Sequence, residues 1–423
     1  MIRSEIKDQD YLYKLIISQL SYDGFKQAAG TVAQELGMSV ESAAASNKLM
    51  RLVNLARQYE DDPDIEKGES LFQYNGDSVG LDLEYGADIT PTAPEPASYE
   101  LVYASSHKAP CRSGAFNTDG SLAAIGSSDC SIKIYDIEKI IAREVRGEPI
   151  SEAEQSQPVI RTLYDHVDEV SCVTFHPREP ILISGSYDKT IKFFDYSKMA
   201  VKRCMRSLVE AEPVRAFAIH PGGEFLAVAV NHPTLRLYNI ETQQCFVSAF
   251  PGDQHVEAVV DVCYADSAKL LVTGSLDGDV KLWDGISGRC VQTFARAHDN
   301  IPIRSVKFTR NGKYVLTTGN DSSVKLWELS TNRCLVNYTG VSGADRVNDN
   351  CGPACFNHNE DYVMLPDDKS GNLCSWNART GDRKRYRALG HAAAVRDFIH
   401  SRTSPAFITC SDDCKARFWY KKL

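Results

Sequence analysis

Histidine, serine or threonine, and aspartate recur along this 423-residue chain at a fixed spacing that could support nucleophilic catalysis. In a catalytic triad, the aspartate orients the histidine, which takes the proton from a hydroxyl that attacks the substrate. The histidines are His107, His166, His255, His298 and His391; the aspartates, 22 or 23 residues later, are Asp129, Asp188, Asp277, Asp321 and Asp413; the hydroxyl residues, four positions before the aspartate, are Ser184, Thr273, Thr317 and Thr409. A catalytic site occurs once, whereas this set recurs. We therefore predict a structural role, in which buried polar side chains satisfy one another and fix turns.

Each set lies in a repeat with short apolar strands and an aromatic residue near its end. These aromatic residues are Tyr135, Phe194, Tyr238, Trp283, Trp327, Trp376 and Trp419, and most are 43–49 residues apart. A period of ~40–45 residues that ends in Trp-Asp is typical of propeller blades. Residues 98–423 thus resemble the WD-repeat family, which uses the His, Ser/Thr and Asp positions structurally. The third repeat has Glu210 and His232 at these places, and the sixth lacks the His and has Ser370 for the Asp, so these two blades should be held less firmly.

The last repeat predicts how the ring closes. A blade needs an outer strand after its aromatic residue, but only four residues follow Trp419. The segment 99–103 (YELVY) has strand character and lies just before the first repeat. We expect it to supply the missing strand, so that no long open edge remains there.

The WD-repeat resemblance also places one residue of each innermost strand at the upper mouth of the channel. By spacing, these residues are Arg112, Ser171, Arg215, Val260, Arg304, Gly352 and Arg396. Clustered arginines repel one another unless an anion binds or nearby acids offset them. Two interpretations stay open: the rim binds an anionic or phosphorylated peptide through Arg112, Arg215, Arg304 and Arg396, or it is neutralised by Asp168, Glu169, Glu212, Glu257 and Asp299.

The cysteines do not predict a metal site. The pairs Cys351/Cys355 and Cys410/Cys414 have three intervening residues, but no matching second pair follows either of them. Cys245, Cys290 and Cys334 each lie seven residues after a blade aromatic, which makes them one repeated strand position. Thirteen cysteines without a secretory signal indicate reduced thiols in a nuclear or cytosolic protein. We expect no metal, no cofactor and no membrane segment.

The densest basic run is Arg383-Lys384-Arg385 with Arg387, on the expected outer strand of the sixth blade. Charge at such a place protects a sheet edge, or it contacts RNA or a phosphoprotein. No aromatic pattern of the RNA-recognition type surrounds the run.

Residues 1–60 precede the repeats and show helical periodicity. Their apolar stripes predict a small all-α head, and such a head buries too little surface to be secure alone. We expect it to self-associate through Leu12, Leu15, Ile16, Leu20, Phe25, Ala29, Val32, Leu36, Leu49 and Leu52; the alternative is packing on its own chain. Residues 61–97 form an acidic linker with four prolines, and the stretch 60–97 carries eleven acids against Lys67, within a chain of net charge -9. Leu81, Leu83 and Tyr85 are the places where the linker could be ordered. The expected domains are 1–60, 61–97 and 98–423.

A closer resemblance covers the whole chain. The stretches 12–20 (LYKLIISQL), 22–24, 159–170 (VIRTLYDHVDEV), 232–238 (HPTLRLY) and 410–413 resemble the family of the fifty-kilodalton subunit of cleavage stimulation factor. The resemblance implies an all-β seven-bladed WD-repeat propeller with a small all-α N-terminal dimerisation domain. It further implies a nuclear, non-enzymatic scaffold in pre-mRNA 3′-end cleavage and polyadenylation, which dimerises through its head.

The same resemblance implies particular partners: a helical-repeat scaffold subunit, an RNA-binding subunit of the same complex, and the wider 3′-end processing and transcription machinery. RNA contact is expected to be indirect, because a separate subunit carries the RNA-recognition module. Two rival classes stay open. A cytoskeletal motor regulator usually has a heptad helix where this chain has prolines and acids. A ubiquitin-ligase substrate receptor usually has an Arg two residues after a Trp-Asp, but Trp283-Asp284 is followed by Gly285-Ile286.

Overall fold

Antiparallel sheets of four strands are the main regular structure in a computed structural model that describes residues 20, 25–35, 81, 83, 91–146, 158–198, 203–248, 250–339 and 352–421. The chain divides into two compact units, residues 1–78 and residues 79–423. The second unit therefore includes part of the expected linker. None of the helices in the described ranges combines the length and apolar character needed to cross a membrane.

Seven sheets follow one another along the described part of the second unit, which confirms the seven-bladed propeller. The first blade comprises β2 (Cys111–Phe116), β3 (Leu122–Ser127), β4 (Ser131–Asp136) and β5 (Val159–Tyr164). The second comprises β6 (Val170–Phe175), β7 (Ile181–Ser186), β8 (Thr190–Asp195) and β9 (Arg206–Val209). The third comprises β10 (Val214–Ile219), β11 (Phe225–Val230), β12 (Arg236–Asn239) and β13 (Cys245–Val247).

The remaining blades follow the same order from the channel outwards. The fourth comprises β14 (Val259–Tyr264), β15 (Leu270–Ser275), β16 (Val280–Asp284) and β17 (Cys290–Phe294). The fifth comprises β18 (Ile303–Phe308), β19 (Tyr314–Gly319), β20 (Val324–Glu328) and β21 (Arg333–Tyr338). The sixth comprises β22 (Cys355–Phe356), β23 (Tyr362–Asp367), β24 (Asn372–Asn377) and β25 (Arg387–Ala388), and the seventh has β26 (Val395–His400), β27 (Ala406–Ser411) and β28 (Lys415–Tyr420).

The segment β1 (Glu100–Ser106) closes the ring as predicted. It pairs antiparallel with β28, from Glu100 opposite Tyr420 to Ser106 opposite Lys415. Tyr99, just before it, is fully buried, and its ring lies 5.1 Å from that of Phe407. The start of the propeller therefore completes the seventh blade.

The segment between the third and fourth strands of the first blade, residues 137–158, begins as a short helix. α2 (Ile137–Ile141) is capped by Asp136, whose carboxylate accepts a hydrogen bond from the Lys139 amide. Ile137 and Ile140 are buried in a cluster that joins strands of the first and seventh blades. This helix therefore covers the closure from one side.

Part of the expected acidic linker packs on the propeller. Leu81 is fully buried among Tyr314, Tyr338, Trp376 and other side chains of the fifth and sixth blades. Its amide donates to Glu360 (2.8 Å), its carbonyl accepts from Asn311 (2.5 Å), and the Leu83 amide donates to the Tyr314 hydroxyl (3.2 Å). Tyr85 lies outside the described residues.

The linker makes a second contact through Asp361, the neighbour of Glu360. One carboxylate oxygen of Asp361 accepts hydrogen bonds from the amides of Thr92 (2.9 Å) and Ala93 (3.0 Å). A short 3₁₀ turn, Pro96–Ser98, then leads to Tyr99 and β1. Residues 81, 83 and 91–98 thus lie along the fifth to seventh blades, and we call them the strap.

The head is described over one helix, α1 (Lys26–Glu35), and residues 20 and 25. Ala29 and Ala33 are buried against Leu20 and Val32, whereas Phe25 is 62% exposed. The other residues expected at the dimer contact lie outside the described ranges: Leu12, Leu15, Ile16, Leu36, Leu49 and Leu52.

We predict that Asp361→Ala releases the second strap contact. Two amides then lose their acceptor, which costs about 1–3 kcal/mol of the free energy of unfolding. Hydrogen exchange should quicken at Thr92 and Ala93, and urea unfolding should shift to lower concentration. Asp368→Ala is the matched control, since this acid lies on the same blade away from the strap; equal exchange rates in the two variants would contradict the assignment.

Candidate binding site at the channel mouth

The recurrent histidine sets are built on one kind of turn. In each, the aspartate carboxylate accepts a hydrogen bond from the amide two residues on, as Asp188 does from Thr190 (2.9 Å). The residue between them has a positive φ, as at Lys189 (64°) and Gly278 (81°). Asp favours such a turn because its side chain bonds to the backbone two residues later. In three of the blades, the second carboxylate oxygen then contacts the histidine.

Three blades join all members of the set directly. In the second blade, His166 Nδ1 lies 2.8 Å from Asp188 Oδ2, and its Nε2 lies 2.7 Å from Ser184 Oγ. The same contacts link His255 to Asp277 (3.1 Å) and Thr273 (2.8 Å), and His391 to Asp413 (2.9 Å) and Thr409 (2.8 Å). A neutral imidazole with its proton on Nδ1 satisfies both bonds.

These hydroxyls have no access to a substrate. Ser184, Thr273, Thr317 and Thr409 are all 0% exposed. The indole N–H of Trp283 donates to Thr273 Oγ1 (2.9 Å), and Trp327 and Trp419 contact Thr317 and Thr409 in the same way. The sequence reasoning missed this fourth member, although the Trp stands at a constant offset from the hydroxyl residue. The arrangement is a buried network that holds a blade together.

The first and fifth blades depart from the pattern. His298 Nδ1 bonds to Ser323 Oγ (2.6 Å), which in turn bonds to Asp321 (2.6 Å), so the expected direct contact is made through a serine. The first blade has Ile125 at the hydroxyl position. There, His107 Nε2 lies 3.3 Å from the Tyr135 hydroxyl.

Asp129, the expected partner of His107, instead accepts the Lys108 amide (3.1 Å). The buried Nδ1 of His107 has no hydrogen-bond partner among the described residues. The first blade therefore holds its histidine without the aspartate contact.

The third and sixth blades use other groups. Glu210 is buried and accepts the Tyr238 hydroxyl (2.6 Å) and the Arg236 guanidinium. In the sixth blade, the Trp376 indole donates to the carbonyl of Thr339 (2.9 Å). The sixth blade also carries both strap contacts, through Glu360 and Asp361.

Burial sets the charge state of these networks. It lowers the pKa of His166 and His391, and it lowers the pKa of His107 and of His298 to about 4. Burial alone would raise the pKa of Asp188, but hydrogen bonds from Thr190, His166 and the Val167 amide outweigh it and hold the pKa below its usual range. These four histidines are therefore neutral near neutral pH, and Asp188 is ionised.

Arg112, Arg215 and Arg304 line a channel of about 740 Å³, and Arg396 lies beside it, next to the lining residue Asp397. The four arginines are not equivalent. Arg112 pairs with Glu169 (3.0 Å) and Asp412 (3.0 Å), and Arg396 pairs with the same Asp412 (2.6 Å). Glu169 was among the acids expected from the sequence, whereas Asp412 was not. Nearby acids thus offset the charges of Arg112 and Arg396, two of the four rim arginines.

Arg215 and Arg304 lie on other blades of the rim. Arg215 is half-buried, and its Nε and Nη2 both donate to Asn231 Oδ1 (3.1 and 2.9 Å), a neutral group. Arg304 Nη2 donates to the carbonyl of Arg396 (3.1 Å), from the fifth blade to the seventh. The sixth-blade rim position between them is Gly352, where an added Cβ would lie 2.9 Å from both Pro366 and Val395.

Charged residues below the rim join neighbouring blades. Asp261 accepts the amide of Val306 (3.0 Å), and Asp397 accepts the amide of Gly114 (2.9 Å). Burial raises the pKa of Asp397 to about 6, against the opposing effect of the Gly114 amide and Lys307. The deeper channel therefore stabilises the ring, and the rim is the part that faces outward. Within the described residues, no group of three or more His, Cys, Asp or Glu is arranged to hold a metal ion.

The buried histidines predict a loss of stability in acid. A histidine with a folded-state pKa below its unfolded value stabilises the protein above about pH 6.5, and this stabilisation falls as pH drops towards the folded-state value. For His298, with a pKa of about 4, the loss between pH 7.5 and 5.0 is about 2 kcal/mol. Urea unfolding at the two pH values should show a smaller difference for His298→Gln than for the parent chain. The exposed His232→Gln is the control; an unchanged pH difference in His298→Gln would refute the explanation.

Two family models match the chain. "Cleavage stimulation factor subunit 1, dimerisation domain" matches residues 4–61. "WD domain, G-beta repeat" matches residues 100–136, 157–195, 246–284, 288–328 and 383–420. The WD matches skip most of the third and sixth blades, which are the two whose sequences lack the recurrent His and Asp.

Several curated proteins are similar to the chain. Cleavage stimulation factor subunit 50 of Arabidopsis thaliana is 34% identical over 97% of this chain and 96% of its own length. Nuclear distribution protein PAC1 of Arthroderma otae is 26% identical over 72% of this chain and 79% of its own. Pre-mRNA-processing factor 19 of Oryza sativa subsp. japonica is 27% identical over 55% of this chain and 43% of its own. The first likeness spans head and propeller in both proteins, and with the dimerisation-domain match it shows that the chain belongs to the family of cleavage stimulation factor subunit 50.

Proposed function

We propose that this chain is a non-enzymatic docking subunit of the cleavage stimulation factor complex and acts in the nucleus, in pre-mRNA 3′-end cleavage and polyadenylation. The observation that carries the proposal is the end-to-end likeness to cleavage stimulation factor subunit 50, with the dimerisation-domain match over residues 4–61. The WD-repeat architecture alone would support many functions, because a fold does not determine a function.

The propeller's design supports docking rather than catalysis. The only recurrent His–Ser/Thr–Asp sets in the described residues are buried and serve to fix turns. Loops at both channel mouths surround a ring that is held together by buried side chains. Such a rigid ring offers pre-organised surfaces, which lowers the entropic cost of binding.

The head supports a homodimer. In its described part, Ala29 and Ala33 of α1 are buried against Leu20 and Val32, and a head of about 60 residues buries too little surface to be secure alone. Pairing of two heads presents two propellers at once. Two linked sites bind a multivalent target with an effective concentration that single sites lack.

The partners that fit this proposal are a helical-repeat scaffold subunit and an RNA-binding subunit of the same complex, together with the 3′-end processing and transcription machinery. We assign the rim arginines Arg112, Arg215, Arg304 and Arg396 to an anionic or phosphorylated peptide. Arg215 is the foremost of them, because its described hydrogen bonds go to the neutral Asn231. Arg112 and Arg396 contribute less, because Glu169 and Asp412 already compensate them.

A cytoskeletal motor regulator is the alternative with a specific observation behind it, the likeness to nuclear distribution protein PAC1. Its identity and coverage are both lower than those of the cleavage factor relative. Co-purification of the full chain from nuclear extract separates the classes: cleavage and polyadenylation subunits support the proposal, and motor subunits or ubiquitin-ligase adaptors contradict it.

We predict that the full chain is a dimer in solution and that a variant lacking residues 1–60 is a monomer. Multi-angle light scattering on both chains measures the mass directly. The truncated chain retains the strap and β1, so its propeller should remain folded. A monomeric full-length chain, or a dimeric truncation, would refute dimerisation through the head.

We predict that Arg215→Glu combined with Arg304→Glu weakens capture of the other cleavage factor subunits from nuclear extract by about tenfold or more, because charge reversal at an interface costs several kcal/mol. Arg215→Glu alone is a second variant with a smaller risk of misfolding, since in the described contacts this half-buried side chain hydrogen-bonds only to Asn231. Lys269→Glu, an exposed lysine away from the rim, is the control. If the double variant captures the other subunits as well as the parent chain does, the assignment of the rim arginines to partner binding is wrong.

A further inference from the structure

The outer edge of the sixth blade carries a cluster that the proposed function does not use. We name Arg383, Lys384, Arg385 and Tyr386 the basic edge. Residues 379–387 contain five cationic residues and one acid, Asp382, in a chain whose net charge is -9. Arg383, Arg385 and Tyr386 are exposed, and Lys384 is half-buried.

The basic edge lies on a β-bulge, so its residues do not follow the regular strand pairing. Arg383 bridges to Trp376, and Arg387 pairs with Leu373. Three residues of the outer segment therefore oppose two residues of β24, Cys374 and Ser375, which makes a bulge. The Lys384 amide is held by the carbonyl of Ser375 (2.8 Å). A bulge at an edge re-aims side chains, and here the re-aimed side chains are basic or aromatic.

Two of the side chains form a stacked pair at the surface. The Arg383 guanidinium carbon lies 4.5 Å from the centre of the Tyr386 ring, and Tyr386 is 50% exposed. Arg387, by contrast, lies 5.5 Å from the buried Trp419 ring. Arg387 thus holds the end of the basic run against the blade. The exposed Arg383–Tyr386 pair forms a flat surface of a cation and an aromatic ring that faces solvent. A single Tyr inside the basic run is not the aromatic pattern of an RNA-recognition module, so the sequence alone did not indicate this platform.

The charges of the basic edge are not offset locally. Across the described residues, the ion pairs include none with Arg383, Lys384 or Arg385. The single acid of the run, Asp382, accepts a hydrogen bond from the Thr380 hydroxyl (2.7 Å). Uncompensated cations at one place attract an anionic partner.

We propose that the basic edge binds single-stranded RNA directly. Its cations contact phosphates, and the Arg383–Tyr386 pair stacks on a base. A phosphoprotein would use the charges alone, so the stacked platform favours RNA between the two. The proposal goes beyond the docking function, for which RNA contact through a separate subunit would suffice.

The test uses the full-length chain and a fluorescein-labelled single-stranded RNA of about 20 nucleotides and mixed sequence, long enough to cover one site. Fluorescence anisotropy gives the affinity between about 50 and 200 mM salt, the range over which phosphate contacts show their salt dependence. Lys384→Ala with Arg385→Ala should weaken binding by about tenfold at low salt and reduce the slope of log affinity against log salt by about 1.4, since each contact contributes about 0.7.

Tyr386→Ala should weaken RNA binding by about tenfold and leave the salt slope unchanged, because it removes stacking and no charge. Tyr386→Phe should restore the affinity. The matched controls are Lys269→Ala with Lys415→Ala for the charges, and Tyr164→Ala, an equally exposed tyrosine on the first blade's edge. Both should bind like the parent chain.

Three results would overturn the proposal. The first is full affinity in Tyr386→Ala, and the second is an equal loss in the control variants. The third is a doubly phosphorylated peptide that loses affinity with Lys384→Ala and Arg385→Ala while RNA does not, which would assign the surface to a phosphoprotein. Membership of the cleavage factor complex is not at stake in any of these outcomes.

Discussion

The antiparallel pair between β1 and β28 is the contact on which the other features depend. A ring of sheets has one seam, and without β1 the seventh blade would expose an unpaired strand and the inner side of Trp419. Backbone groups at such an edge are left without partners, which favours pairing with other chains. With the seam closed, Arg112 and Arg396 meet on the two sides of it and share Asp412. The electrostatic character of the channel mouth is thus a consequence of closure.

Blades hold themselves together by different means according to what their sequence offers. The second, fourth and seventh join His to Asp and to a buried hydroxyl, and in the fourth and seventh the Trp indole also donates to that hydroxyl. The third substitutes a buried Glu210 with Arg and Tyr partners. In the sixth blade, Glu360 and Asp361 accept hydrogen bonds from backbone amides of the strap. A buried carboxylate costs free energy unless it is hydrogen-bonded, and in both divergent blades it is.

The repeated features, and the closing strand that the last repeat lacks, could be predicted from the sequence, whereas individual side-chain contacts that occur once could not. The period of the aromatic residues located every blade, and the shortage of residues after Trp419 located β1. In the fifth blade, His298 reaches Asp321 through the hydroxyl of Ser323. This indirect contact depends on side-chain rotamers, which the spacing of residues in the sequence does not encode. The pairing of Arg112 with Asp412 joins residues 300 apart across the seam. The strap was predicted only as apolar residues in a linker, because its binding sites on the fifth and sixth blades have no counterpart elsewhere in the ring.

The order of contacts along the strap bears on how mechanical load enters the propeller. Tension that arrives from residues before 79 meets Leu81 first, then the Thr92–Ala93 amides, then Tyr99, and only afterwards the hydrogen-bonded edge of β1. Each anchor must yield before the next bears force, so the seam is the last element to feel a pull. If two partners pulled on a dimer of this chain, the strap contacts would therefore break one after another before the β1–β28 pairing of either propeller was loaded.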